Sequence, residues 1–93
     1  MVKPGETIVF SMLIEFPTIY DFKIEIFDPS DVQEATLTPS DGYSITPTDD
    51  EKYEIKVLWN LPSDAVTGTW RAEISIYPSA DTCSKETVTF DVG

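Results

Sequence analysis

Acidic side chains carry most of the chemistry that this chain could perform, because the chain has no histidine. It holds 17 aspartates and glutamates, 6 lysines and arginines, and no histidine. The commonest general base and the usual ligand of transition metals are therefore absent. The carboxylates fall in turns and at outward positions of strand-like segments, where water surrounds them and nothing activates them. We predict that the chain is not an enzyme.

Acidic residues in three predicted turns are the candidates for binding a cation. Calcium takes about six to eight oxygen ligands, mostly from carboxylates and carbonyls. The spacing of the clusters matches no EF-hand loop, and solvated turns have the same composition. We therefore predict no cofactor and no defined metal site, and keep the acids as weak calcium candidates only. These candidates are Asp28 and Asp31 in one turn, Asp41 in a second, and Asp49, Asp50 and Glu51 in a third.

The single cysteine, Cys83, excludes an intrachain disulfide. It lies in the polar stretch Ser79–Lys85, which we predict to be an exposed loop. A catalytic thiol needs a neighbouring base, and no histidine is available to serve as one. We interpret Cys83 as a thiol without a catalytic role.

Aromatic side chains on one exposed face would form a platform for a carbohydrate. The candidates are Tyr43, Tyr53, Trp59 and Tyr77. However, Tyr53 and Trp59 lie at positions of a strand pattern that point inward, as does Trp70. These residues fit a hydrophobic core better than a sugar site.

The net charge of −11 limits the classes of partner. Few basic residues are present to neutralise phosphates, so we predict no binding to nucleic acid or to anionic membrane surfaces. No apolar run is long enough to span a bilayer. The acidity could serve a cation or a basic partner. It could equally keep the surface well solvated and the chain monomeric in isolation.

Prolines and glycines separate segments that alternate between apolar and polar residues with period two, as half-buried strands do. Seven such segments without helical periodicity predict an all-β, seven-stranded, two-sheet antiparallel sandwich. A closed barrel is the alternative. The predicted strands are Thr7–Phe16, Ile19–Phe27, Val32–Thr38, Tyr43–Thr46, Lys52–Trp59, Trp70–Tyr77 and Glu86–Val92.

The first predicted strand is apolar on both faces. Ile8 and Phe10 begin one apolar face, which continues through Met12 and Ile14, while Val9 and Leu13 lie on the other. This pattern is typical of a central strand, or of a strand that a neighbouring domain covers.

Two stretches resemble immunoglobulin-like domains. Lys3–Phe10, with proline, glycine and an acid before alternating apolar residues, resembles the entry into their second strand. Leu61–Trp70 resembles the corner before their sixth strand, where a glycine precedes an aromatic residue that fills the core. The bridging cysteine of the disulfide-bonded members would fall at Ala72, with its partner near Met12. The resemblance therefore implies a disulfide-free member with Trp70 in the core.

The whole pattern is more similar to the macroglobulin-type, fibronectin-like modules of the α2-macroglobulin family and of bacterial and archaeal surface proteins. The shared motifs are Lys3-Pro4-Gly5, Asp28-Pro29, Gly68-Thr69-Trp70 and Phe90-Asp91-Val92. The thioester motif of macroglobulins belongs to another domain of those proteins and is not found here. The resemblance implies a module without protease-trapping activity.

These inferences predict a single domain over residues 1–93, excised from a larger protein, whose first strand is vestigial or lies upstream of Thr7. We expect a structural or protein-interaction module, a spacer or adhesin-like unit of a prokaryotic cell-surface or secreted protein. Its partners would be neighbouring domains of the same chain and possibly other proteins. The alternative is a carbohydrate- or calcium-binding module appended to an extracellular enzyme.

Overall fold

A computed structural model describes residues 1–15 and 21–93. The predicted strand residues Phe16, Ile19 and Tyr20 lie outside the described residues. The described residues contain seven strands and one short 3₁₀ helix, Pro39–Asp41. The strands are β1 (Thr7–Ile14), β2 (Asp21–Phe27), β3 (Gln33–Leu37), β4 (Ser44–Pro47), β5 (Tyr53–Asn60), β6 (Gly68–Ser79) and β7 (Thr82–Val92). Burial alternates most regularly in β1 and β2.

The seven strands form two antiparallel sheets. Three strands lie in the order β1-β5-β4, and four lie in the order β3-β2-β6-β7. Their apolar faces pack on one another and bury a single core cluster. The predicted seven-stranded sandwich is thus confirmed, and the closed barrel is wrong. With a single cysteine in the chain, no disulfide links the sheets.

The core comes from the alternating residues of the strands in both sheets. In β1, every second residue is buried and the intervening residues are exposed. The same alternation holds over the first part of β2. The fully buried side chains of largest volume include Phe22, Ile24 and Ile26 of β2, Ile55 and Val57 of β5, Leu61 and Trp70.

Trp70 lies at the centre of an aromatic group within this core. Its side chain is 2% exposed, and its indole Nε1–H donates to the backbone carbonyl of Val66 at 2.9 Å. Its ring stacks on Phe90 at a centroid distance of 6.0 Å and tilts against Trp59 at 6.2 Å. The prediction that Trp70 is a core residue is confirmed, and Ala72 beside it is completely buried.

The sequence pattern predicts β1 to be either a central strand or a strand that a neighbouring domain covers. β1 pairs with β5 and forms an edge of the three-stranded sheet, so the prediction of a central strand is wrong. Its outward residues Val9 and Leu13 are 51% and 62% exposed. Apolar residues on both faces indicate that both faces of a strand can be buried. They do not determine its place in the sheet, which depends on the strands that pair with it.

The last strand is longer than its sequence pattern predicts. β7 begins at Thr82 rather than Glu86 and forms a hairpin with β6, so Cys83 lies in a strand and not in a loop. Cys83 is nevertheless exposed, as predicted. The pairing continues past the core because backbone hydrogen bonds need no apolar side chains, and Ser79 and Thr82 join their hydroxyls across the turn at 2.9 Å.

The segment before β1 forms one short parallel contact with β7. Val2 pairs with Val92, its N–H donating to the carbonyl of Asp91 at 2.8 Å and its carbonyl accepting from Gly93 at 2.9 Å. The chain then turns through Gly5, which has a positive φ of 87°, and enters β1 on the opposite sheet. This single bridge is the strand pairing that the described residues before β1 form.

Candidate functional site

The turn between β2 and β3 contains the first pair of calcium candidates, Asp28 and Asp31. Backbone N–H groups of this turn donate hydrogen bonds to one of the two carboxylates. The Asp28 carboxylate accepts hydrogen bonds from the backbone N–H groups of Ser30 at 2.8 Å and Val32 at 3.0 Å. Aspartate commonly closes turns in this way. Asp28 therefore stabilises the turn, and the oxygen that accepts these bonds is less available to a cation.

Asp31, the other acid of this turn, forms an ion pair with Arg71 of β6. Arg71 also contacts Glu73 at 3.4 Å, and its guanidinium lies 4.3 Å from the centre of the Phe27 ring. The hydrogen bond with Asp31 is the main cause that raises the pKa of Arg71 above its ordinary value. The pair joins the turn to β6 but is exposed, so its contribution to stability is small.

The other acids lie in separate turns. The Asp41 carboxylate accepts from the backbone N–H of Thr38 at 2.9 Å and closes the 3₁₀ helix. The turn holding Asp49, Asp50 and Glu51 connects β4 to β5. This turn leads into Tyr53, which pairs with Ile14, the final residue of β1. The Asp28 turn lies instead beside the start of β6, where Pro29 packs against Gly68.

The antiparallel register therefore places the Asp28 turn and the Asp49–Glu51 turn at opposite ends of the sandwich. Within residues 1–15 and 21–93, no three acidic or cysteine side chains are grouped in a way that could hold a metal ion. The sequence candidates for calcium are each located, but the fold does not bring them together.

The four aromatic candidates for a carbohydrate platform are likewise spread over both sheets. Tyr53 and Trp59 lie on β5 and pack against the core. Tyr77 lies on β6 of the other sheet, where interaction with the Cys83 side chain raises its pKa above the ordinary value of a tyrosine. Tyr43 is 45% exposed and packs edge-on against Phe22 at a centroid distance of 5.5 Å. These side chains do not form one flat surface.

A groove of about 330 Å³ lies beside Tyr43, lined in part by Lys56 and Leu58. Its single carboxylate, that of Asp41, is the one already bonded to the backbone of Thr38. The described lining of the groove thus contains one amine and one carboxylate that the backbone engages.

Three exposed apolar side chains lie on the outer face of the three-stranded sheet, with Ser11 and its partner Lys56 between Leu13 and the other two. Val9 is paired with Leu58 across the β1–β5 ladder, and Leu13 lies further along β1. Val9, Leu13 and Leu58 are 51%, 62% and 64% exposed. We call these three side chains the outer apolar patch. The sequence pattern identified Val9 and Leu13, but it missed Leu58, which follows the outward residues Glu54 and Lys56 at the same spacing of two.

Comparison of the chain with protein-family models and with curated protein sequences gives no match. Among the residues that the structure describes, no helix has the length and apolar character needed to cross a membrane. The fold and its surface define a small all-β sandwich domain whose candidate functional surface is an apolar patch beside an open strand edge.

Proposed function

We propose that this chain is a non-catalytic structural or protein-interaction module of a multidomain cell-surface or secreted protein. The observation that carries the proposal is the outer apolar patch, formed by Val9, Leu13 and Leu58 on one face of the three-stranded sheet. Exposed apolar side chains that share one face favour contact with another protein surface. Among the candidate ligand residues, in contrast, Asp28 and Asp41 bond to the backbone of their own turns, and Asp31 pairs with Arg71.

The strand order supports an immunoglobulin-like relationship for this module. In immunoglobulin domains the second, fifth and fourth strands share one sheet, and the third, sixth and seventh share the other. If β1 is the second strand of that arrangement, the sheet β1-β5-β4 corresponds to the first set. The strands β2, β6 and β7 then correspond to the second set, with β3 added at its edge. Macroglobulin-type modules are the members that the sequence motifs resemble most.

The proposed cell-surface location and the proposed tandem arrangement both rest on this resemblance to macroglobulin-type modules. The resemblance implies that such modules act as spacers or adhesin segments in tandem-domain proteins. The partner of the outer apolar patch would then be the adjoining domain of the same parent chain or a second protein.

The test compares this chain with the longer product of its parent gene. The methyl groups of Val9, Leu13 and Leu58 would be labelled with ¹³C, and their exposure to a soluble paramagnetic agent measured by NMR. We expect strong broadening in the 93-residue chain and protection in the longer one, because a neighbouring surface excludes the agent.

Val66 is the matched control, since it is 52% exposed in the corner between β5 and β6 and lies outside the patch. Its methyl groups should remain broadened in both proteins. Equal broadening of all four residues in the longer protein contradicts the assignment of the patch as an intramolecular domain contact.

A further inference from the structure

The open edge of β1 differs from the other sheet edges of this molecule. The two sheets have four edge strands in the described chain, β1, β4, β3 and β7. Natural proteins protect edge strands by shortness, charge or proline, because an open edge pairs readily with another strand. Three of the four edges carry such protection.

The protected edges are β4, β3 and β7. β4 has four residues and ends at Pro47, and β3 has five residues and contains Glu34. β7 is long, but it carries Lys85, Glu86 and Asp91 and pairs with Val2 near its end. β1 has eight residues without a charge, a proline or a glycine. By length and composition it is the edge most suited to accept another strand.

Hydrogen bonding to β5 determines which backbone groups of β1 face this edge. The N–H of Leu61 donates to the carbonyl of Glu6 at 2.9 Å, in the register that pairs Thr7 with Asn60. Bonded and non-bonded pairs alternate along antiparallel strands. The even-numbered residues of β1 therefore direct their N–H and C=O groups toward β5. The odd-numbered residues direct theirs toward the open edge, where no described strand meets them. These are Thr7, Val9, Ser11 and Leu13.

We propose that the occupant of this edge is a second copy of the chain, paired antiparallel through β1 about a two-fold axis at Ser11. This inference rests on the proposed function, because it names one partner for an interaction module. The two three-stranded sheets would join into a single six-stranded sheet across the axis. The interface would be isologous, with the same residues contributed by each copy.

The register centred on Ser11 follows from the side-chain pattern. It places Val9 opposite Leu13 of the second copy and Ser11 opposite Ser11, so apolar residues of the outer face meet apolar residues. On the inner face, Phe10 lies opposite Met12 of the second copy. A shift by one residue would place buried side chains opposite exposed ones. The outer apolar patch would thereby continue across the axis, with Leu58, Val9 and the second copy's Leu13 in one row.

The self-complementary side-chain pattern of β1 favours a second copy as the occupant, whereas the net charge of the whole molecule opposes it. The net charge of −11 repels two copies, but β1 carries none of that charge and presents no unpaired acid at the axis. Salt screens long-range repulsion and leaves backbone hydrogen bonds and apolar contacts largely intact. Association should therefore strengthen as ionic strength rises. In dilute protein at low salt, we expect the monomer that the net charge favours.

Sedimentation velocity of the 93-residue chain, from micromolar to millimolar concentration at low and high salt, tests the stoichiometry. We expect a monomer–dimer equilibrium that shifts to dimer with salt. Sedimentation as a monomer under all these conditions overturns the proposal. Species that grow beyond the dimer overturn the two-fold symmetry, because a head-to-tail contact such as β1 on β7 does not close.

Ser11→Pro removes an N–H that faces the open edge and no bond to β5, so it should weaken the dimer by about tenfold or more. Ser11→Thr, which retains the N–H, is the control and should dimerise as the original chain does. If Ser11→Pro fails to fold by circular dichroism, Ser11→Lys replaces it, because two lysines opposed on the axis repel. Unchanged dimerisation of a folded Ser11→Pro or Ser11→Lys contradicts the proposed interface.

Cross-linking locates the axis independently. In a Cys83→Ser background, Ser11→Cys should form a disulfide-linked dimer under mild oxidation, since bonded antiparallel partners lie about 5.5 Å apart between Cα atoms. Thr87→Cys in the same background is the control at an exposed position of β7, and it should cross-link far less. Equal cross-linking of both variants overturns the assignment.

The two proposals fail separately. These experiments use the 93-residue chain alone, whereas the proposed function is tested in the longer protein. A chain that stays monomeric here, but whose outer apolar patch is protected there, loses the second copy as partner and keeps its role as a module.

Discussion

At the scale of single residues, the polar side chains that attract attention in the sequence mostly stabilise their own neighbourhood. Asp28 closes the β2–β3 turn, Asp41 closes the 3₁₀ helix, and Asp31 pairs with Arg71. The large aromatic residues divide differently. Trp70 is buried with its indole N–H bonded to Val66, while Trp59 is only partly buried.

The stability of the domain should depend strongly on Trp70. We expect Trp70→Ala to lower the free energy of unfolding by about 3–5 kcal/mol, because it leaves a cavity beside Phe90 and removes a buried hydrogen bond. Urea unfolding followed by circular dichroism measures the loss. Trp59→Ala is the control and should cost less, since part of that side chain already contacts water. An equal loss in both variants would show that Trp70 is not the centre of the core.

At the scale of elements, two contacts tie the β2–β3 turn to the start of β6. One is the ion pair between Asp31 and Arg71. The other is close packing of Pro29 against Gly68, which has a φ of 133°. A Cβ atom at position 68 would lie 2.8 Å from Pro29 Cγ. The Asp-Pro and Gly-Thr-Trp motifs, far apart in the sequence, thus meet at one end of the four-stranded sheet.

Gly68→Ala should destabilise the domain through both backbone strain and this contact. Strain at such a φ alone costs about 1–3 kcal/mol, and the clash adds to it because Pro29 is a rigid ring. Gly42→Ala is the matched control, since Gly42 also has a positive φ, of 94°, but a Cβ atom there meets nothing within 4 Å. Urea unfolding should therefore give the larger loss for Gly68→Ala, and the reverse order would contradict the proposed role of Pro29.

At the scale of the whole molecule, the sandwich separates the acidic clusters instead of collecting them. The antiparallel strands carry the chain from one end of the sandwich to the other, so that the Asp28 and Asp49 turns emerge at opposite ends. The acidity is consequently a property of the surface as a whole. It favours solubility and weakens association at low salt.

Calcium should accordingly leave the stability of this domain unchanged. A cation that binds only the folded state raises the melting temperature, because its binding at a free concentration c stabilises that state by RT ln(1 + c/Kd). We expect the melting curve in millimolar CaCl₂ to match that in MgCl₂ or NaCl of the same ionic strength. The variant Asp49→Asn, Asp50→Asn, Glu51→Gln should respond to all three salts alike. A rise specific to CaCl₂ that this variant abolishes would establish a calcium site in the β4–β5 turn.

Much of the fold was predictable because its cause is local. Alternation of apolar and polar residues determined which side chains of β1 and β5 face inward, and proline and glycine marked the turns. The last strand was predicted too short, since Cys83 and its polar neighbours pair with β6 through the backbone. The alternation of apolar and polar side chains does not indicate strand pairing that depends on backbone hydrogen bonds alone.

The candidate sites were less predictable, because they depend on which turns meet. The sequence located every acid and aromatic residue that was considered, but only the register of the sheets separates Asp28 from Asp49. The outer apolar patch was partly visible in Val9 and Leu13. Its third member, Leu58, joins them through a pairing between strands more than forty residues apart.

The sequence by itself determined that this chain is an all-β sandwich without a disulfide, with Trp70 in its core. It could do so because strand periodicity, turn residues and the number of cysteines act over a few residues at a time. Only the tertiary structure decided that β1 is an edge strand, that the calcium candidates do not converge, and that no strand of residues 1–15 and 21–93 pairs with the uncharged outer edge of β1. Those properties arise from long-range strand pairing, which the chain acquires only when both sheets have formed.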